Sequence, residues 1–176
     1  MKKFFIITLL LVSNLILAQS QKIESNKSNA EIFSTKSGTL IEKQFIDVGS
    51  SKKIKLQIVK YTDIISGDSV SASLIESSSK NQYSAGTNVI LDIDELKGLI
   101  KSIEIINVEV LNTIPENYTE ITFSSRGNLK AGCFWYKNAW SIYIQLNKRD
   151  YKSSIKLNKE ELSEILNLLK QSYNKL

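Results

Sequence analysis

Residues 89–106, VILDIDELKGLIKSIEII, and residues 154–169, SIKLNKEELSEILNLL, are two versions of one pattern. In the first, Asp92 stands three positions before Glu95, and Leu96, Leu99, Ile100 and Ile103 follow at helical spacing. In the second, Asn158 stands three before Glu161, ahead of Leu162, Ile165, Leu166 and Leu169. A side-chain oxygen at the first position can accept from a free N–H of the opening turn, and the Glu can reach back to the cap's own N–H. Each copy therefore predicts a capped amphipathic helix entered directly from a short strand.

Strand signals precede each copy. In the first half, residues 39–48 read as a strand closed by Gly49-Ser50-Ser51. Ile54, Leu56 and Ile58 then alternate with Lys53, Lys55 and Gln57, the pattern of a sheet with one wet face. Ser66-Gly67-Asp68 turns that strand into residues 70–75, and a polar loop, 76–88, leads to the strand before the helix. Residues 107–111 either prolong the first helix or break from it. Pro115, the only proline, forces Ile114 out of helical geometry and marks the junction between halves.

The second half repeats the scheme. Tyr118, Glu120 and Thr122 alternate with Thr119, Ile121 and Phe123, and Arg126-Gly127-Asn128 turns the chain into residues 129–136. Lys137-Asn138 is a two-residue hairpin loop, because Asn tolerates the positive φ that twist-compatible turns require. That register sets Tyr136 opposite Ala139, Trp135 opposite Trp140, Cys133 opposite Ile142 and Ala131 opposite Ile144. Alternation then puts Ala131, Cys133, Trp135, Trp140, Ile142 and Ile144 on the core face. Phe134, Tyr136, Ser141, Tyr143 and Gln145 fall on the opposite one.

The fold class predicted is α+β: two ββββα repeats, at 39–114 and 115–176, each an antiparallel sheet with its helix lying across it. A half of this size leaves apolar area uncovered, so the two are expected to pack as one pseudo-twofold domain. Two successive ββββα units, with Leu-x-x-x-Glu-Leu at Leu91 to Leu96 and again at Leu157 to Leu162, resemble the Whirly family and the related positive-cofactor-4 proteins. The resemblance spans residues 39–176 and implies packed sheets and a single-stranded nucleic acid as partner. No residue role is carried over from it.

Ahead of the repeats, Lys2 and Lys3 precede a mostly apolar run ending at Ala18, the pattern of a secretory signal over 1–18 with cleavage before Gln19. The apolar run is shorter than the ~20 residues a membrane span requires. Residues 19–38, polar and without periodicity, read as a flexible leader. The expected location is a periplasm or the medium, where a lone Cys, Cys133, persists as a buried inert thiol.

Composition excludes much chemistry. The chain has no histidine and one cysteine, so every Ser-His-Asp or Cys-His nucleophile, every His-ligated metal site and any internal disulfide is ruled out. The net charge of +5 includes Lys2 and Lys3 and is modest for a nucleic-acid binder. Asp92, Asp94, Glu95, Glu160 and Glu161 suggest a metal site at first sight, but negative charge at helix starts answers the helix dipole. No catalytic residue, cofactor or metal is therefore expected.

One cluster invites a binding role. Phe134, Tyr136 and Tyr143, bordered by Lys130, Lys137, Lys148 and Arg149, would offer stacking faces and cations on an open sheet. The competing expectation is that this face is covered by another part of the fold. Two functions follow: an exported, non-catalytic interaction module that contacts a protein or glycan through this face or the 76–88 loop, or an exported binder of nucleic acid or another polyanion.

Overall fold

The computed structural model describes residues 26–51, 54–77 and 86–176. The signal segment, residues 19–25 of the leader and most of the 76–88 loop lie outside them. A short helix α1 (Asn29–Ser34) leads into β1 (Ile41–Ser51), β2 (Ile54–Asp63), β3 (Ser69–Ser77), β4 (Asn88–Leu91) and helix α2 (Ile93–Val108). The second half runs β5 (Thr119–Ser124), β6 (Lys130–Tyr136), β7 (Ala139–Gln145), β8 (Ser154–Leu157) and helix α3 (Lys159–Lys175). The strands form two four-stranded antiparallel meanders, β1-β2-β3-β4 and β5-β6-β7-β8. This is the α+β arrangement of two ββββα units.

The β6–β7 register is the one its turn dictates: Trp135 faces Trp140, and Cys133 faces Ile142. Lys137 and Asn138 take φ of 52° and 60°, both positive, as the tight turn demands. Asn158 accepts from the Glu161 N–H at 2.8 Å while Glu161 Oε2 accepts from the Asn158 N–H at 2.9 Å. After α2 the chain tightens into a 3₁₀ turn at Val110–Asn112, which settles the 107–111 segment as helical continuation.

Neither helix is confined to its own sheet as expected. Helix α3 packs on β1 and β2 of the first sheet, and α2 reaches β6 of the second while staying beside β3 and β4. Only Asp92 joins β4 to α2, and only Asn158 joins β8 to α3. That is shorter than the roughly two to six residues of a usual strand–helix connection, so each helix runs on to the facing sheet, α3 onto β1 and β2, and α2 while keeping contact with β3 and β4. Gly49 permits the approach, since a Cβ there would stand 2.8 Å from Leu168 Cδ2. Ser51 Oγ donates to Glu164 Oε2 at 2.6 Å, and Ser172 Oγ donates to Ser73 Oγ at 2.9 Å inside the core. The helices also touch: Asn107 Nδ2 donates to Ser163 Oγ, and Lys170 pairs with Glu104. Leu56, Ile75 and Leu91 of one half and Ala131, Ile144 and Leu169 of the other thus share one apolar core.

Two further expectations are corrected. Gly49-Ser50-Ser51 does not end β1; the strand absorbs Val48 as an extra residue, Asp47 pairing Gln57 and Gly49 pairing Leu56. Nor is the stretch 26–38 a structureless leader, since α1 forms within it. Ser28 and Glu31 close a capping box, and Ala30 and Phe33 press on Val59, Tyr61, Ala72 and Leu74. The outer face of the first sheet is therefore covered around Val59, Tyr61, Ala72 and Leu74, where the Ile54–Ile58 alternation had implied a wet face throughout; Phe45, Asp47 and the Lys55 side chain on that face do stay exposed. At six residues α1 is too short to show helical periodicity, and its stability comes from docking.

Arg126, in the β5–β6 turn, fastens the halves. Its guanidinium donates to Asp94 at 2.9 and 3.0 Å and to Asp92 at 2.8 Å, and its N–H donates to Glu95 Oε1 at 2.6 Å. The Asp92 carboxylate also accepts from the Asn29 and Ala30 N–H groups of α1. One cluster thus holds α1, the start of α2 and the second sheet. The hydrogen bond from Arg126 keeps the Asp94 carboxyl below its ordinary 3.8, whereas burial pushes Glu95 above 4.5.

Leu169→Ala should cost about 2–5 kcal/mol, the range for emptying a buried leucine site. Urea denaturation followed by tryptophan fluorescence, which reports the second sheet, and by circular dichroism should show one coincident transition, because the core is shared. Arg126→Ala should cost roughly 1–3 kcal/mol at neutral pH by leaving Asp92 and Glu95 buried without their cation. The depressed Asp94 carboxyl stabilises the fold above its ordinary value, and that contribution fades as pH falls through the lowered one. The raised Glu95 group acts oppositely, favouring the fold below 4.5 and losing its contribution as pH rises through the raised value. Removing Arg126 abolishes the first effect and enlarges the second. The gap in urea midpoint between wild type and variant should therefore shrink from pH 7 to pH 3.

Candidate functional site

The outer face of the second sheet bears a shallow depression of about 330 Å³, lined by residues of all four strands and by Tyr151 from the loop before β8. Its floor is set by the ladder. Thr122, Gly132 and Tyr143 stand side by side across β5, β6 and β7. A Cβ on Gly132 would lie 2.1 Å from the Ile121 carbonyl oxygen, so no side chain fits there. The Tyr143 ring uses that gap to reach β5, where its hydroxyl lies 3.0 Å from Thr122 Oγ1 and 3.2 Å from Glu120 Oε1. Burial raises its pKa, so the phenol keeps its proton at neutral pH. Thr122 Oγ1 donates to Glu120 Oε1 at 3.0 Å, and the Tyr118 hydroxyl donates to Oε2 at 3.4 Å. Glu120 is thus the acceptor at the centre of a ring of hydroxyls.

Beside that polar centre, Phe134 and Tyr143 meet with ring centroids 6.3 Å apart and planes tilted by 46°, a favourable aromatic geometry. Gln145 spends its Nε2 protons on the Asn147 and Asp150 carbonyls, which fixes the amide. Lys130 and Lys156 border the depression.

Of the residues singled out from sequence, Phe134, Tyr143 and Lys130 line this depression. Tyr136 and Lys137 do not: they sit at the hairpin end, where Tyr136 is 56% exposed and the Lys137 ammonium lies 5.3 Å from its ring centroid. Lys148 and Arg149 also lie outside it. Sequence reading missed Tyr118, Glu120, Tyr151 and Lys156. The alternation of Tyr118, Glu120 and Thr122 was visible, but joining them to Tyr143 needs the β5–β6 register. A turn with Asn128 at φ 72° sets that register.

Other candidates resolve into structure. The oxygens of Asp92, Asp94 and Glu95 lie close enough together to hold a cation, but the Arg126 guanidinium already bonds them. Trp135 and Trp140 pack at 5.5 Å, and Trp140 Nε1 donates to the Thr113 carbonyl, tying the linker between halves to the second sheet. Cys133 is buried in the core, and burial pushes its thiol up to about 11.

No family model matches the sequence, and neither a curated protein nor a solved structure is significantly similar to it. Among the described residues no helix is long and apolar enough to cross a membrane.

A thiol that is both buried and protonated is a poor nucleophile. Cys133 should therefore resist a disulfide reagent such as dithionitrobenzoate in native buffer at pH 8 and react stoichiometrically once the chain is unfolded in guanidinium. Rapid native labelling would show that the shared core opens readily.

Proposed function

We propose that this is an exported, non-catalytic binding module whose ligand sits on the outer face of the second sheet. The observation that carries the reading is an inequality between two equivalent surfaces. Ser73 and Ile142 both pair with the leucine that ends the last strand of their sheet, Leu91 or Leu157. Counting outward from them, Val59 corresponds to Phe134, Tyr61 to Tyr136, Ala72 to Ser141 and Leu74 to Tyr143. In the first half these positions are buried under α1. In the second half nothing among the described residues overlies them, and they carry rings and hydrogen-bonding groups around a depression of ligand size.

A polyanion is the weaker ligand. Glu120 occupies the middle of the face and Lys137 stacks on Tyr136, so the cations do not form the continuous row that a phosphate chain follows. Export rests on the sequence of residues 1–18.

Amide chemical-shift mapping on the purified chain tests the binding face, with soluble cell-wall glycan fragments, heparin and a thymidine decamer as probes. Binding should perturb residues 118–122, 130–134 and 141–156, and Phe134→Ser with Tyr143→Ser should weaken it at least tenfold while leaving the fold intact. Perturbations confined to the first sheet or the helices would overturn the reading, as would silence to every probe.

A further inference from the structure

We infer that the group recognised by this face is a pyranose ring of a glycan. This rests on the binding face proposed above and names the chemistry that would fill it. The two halves act as an internal comparison. Where α1 docks, the sheet offers the aliphatic Val59, Ala72, Leu74 and Ile90 beside Tyr61, a surface suited to the apolar side of a helix; only Tyr61 keeps its character in the second sheet, as Tyr136. At the corresponding positions the second sheet offers Phe134, Ser141, Tyr143 and Lys156. Phe45, which pairs with Val59, is matched by Glu120, which pairs with Phe134. The four aliphatic groups have given way to an aromatic ring or a polar side chain, and the exposed Phe45 ring to a carboxylate. A second apolar helix would bury those polar groups without partners, at a cost.

The groups that replaced them suit a sugar. Aromatic faces carry the negative end of the ring quadrupole, and the axial C–H bonds of a pyranose present a weakly positive flat surface to them. Phe134 and Tyr143 supply a tilted corner, and Tyr151, 78% exposed, supplies a ring at the rim. The hydrogen-bonding groups are of both kinds: Glu120 and Gln145 bring acceptors, and Lys130, Lys156, Ser141 and Ser154 bring donors. Glu120 has about four acceptor sites, and Tyr118, Thr122 and Tyr143 occupy part of them. With its Nε2 protons held by the loop, Gln145 is left with its carbonyl oxygen. A lining that both donates and accepts, with the Glu120 carboxylate at its centre, suits a ligand whose groups also do both, which a sugar's hydroxyls do and the acceptor-only oxygens of a phosphate chain do not. A volume of about 330 Å³ is on the scale of a mono- or disaccharide, not of a folded partner.

Cellobiose and N,N′-diacetylchitobiose, titrated into the isotopically labelled full chain, test the inference, with heparin and a thymidine decamer in parallel. Saturable shifts at millimolar sugar, centred on Glu120, Phe134, Tyr143 and Gln145, are expected. Glu120→Gln, an exposed and nearly isosteric change, should weaken sugar binding three- to tenfold, and Tyr151→Ala by a similar factor, while Phe45→Ala, on the first sheet, leaves it unchanged. If heparin or the decamer binds this face and neither sugar does, the sugar assignment is wrong and the binding face stands. If sugars shift only residues elsewhere, or nothing binds, both fail.

Discussion

Everything in this molecule depends on an exchange. Each sheet has an apolar inner face that its own helix does not cover alone, because one residue separates the last strand from the helix and gives it little room to fold back. Helix α3 crosses to the other sheet, and α2 bridges the two. Burial of apolar surface is the main favourable term in folding, and here much of it exists only when both halves are present. Neither unit is a domain in the sense of owning its core.

That constraint explains where the polar fastenings fall. Arg126 sits in a turn of the second sheet and bonds the acidic start of α2, while Asp92 also receives two N–H groups from α1. A partly buried cluster of this kind gives little net energy compared with well-packed apolar groups, but breaking one partner is costly. Its effect is to fix how the crossing helices sit. The pairs Ser51 with Glu164 and Ser73 with Ser172 do the same for α3 on the first sheet.

The pseudo-symmetry stops at the outer faces. The inner faces must both be apolar, since they meet one core, and they have stayed alike: Val89 and Leu91 correspond to Ile155 and Leu157. The outer faces carry no such demand and have diverged. One is largely aliphatic where α1 covers it, and the other is aromatic and hydroxylated around Glu120. A duplicated fold can keep one copy as scaffold and alter the exposed side of the other without disturbing the shared interior.

Local patterns in the sequence determined the capped helices, the strand order, the β6–β7 hairpin with its register and the burial of Cys133, because each depends on residues close together in the chain. The Lys137-Asn138 turn fixes which residues face each other, and alternation then sorts Cys133 from Phe134. Only the tertiary structure decided which sheet each helix covers, that Asn29–Ser34 forms a docked helix, and that Glu120 and Tyr151 join Phe134 and Tyr143. Those outcomes rest on contacts between distant segments, where one connecting residue or one irregular turn redirects a whole element, and no short-range pattern records the direction.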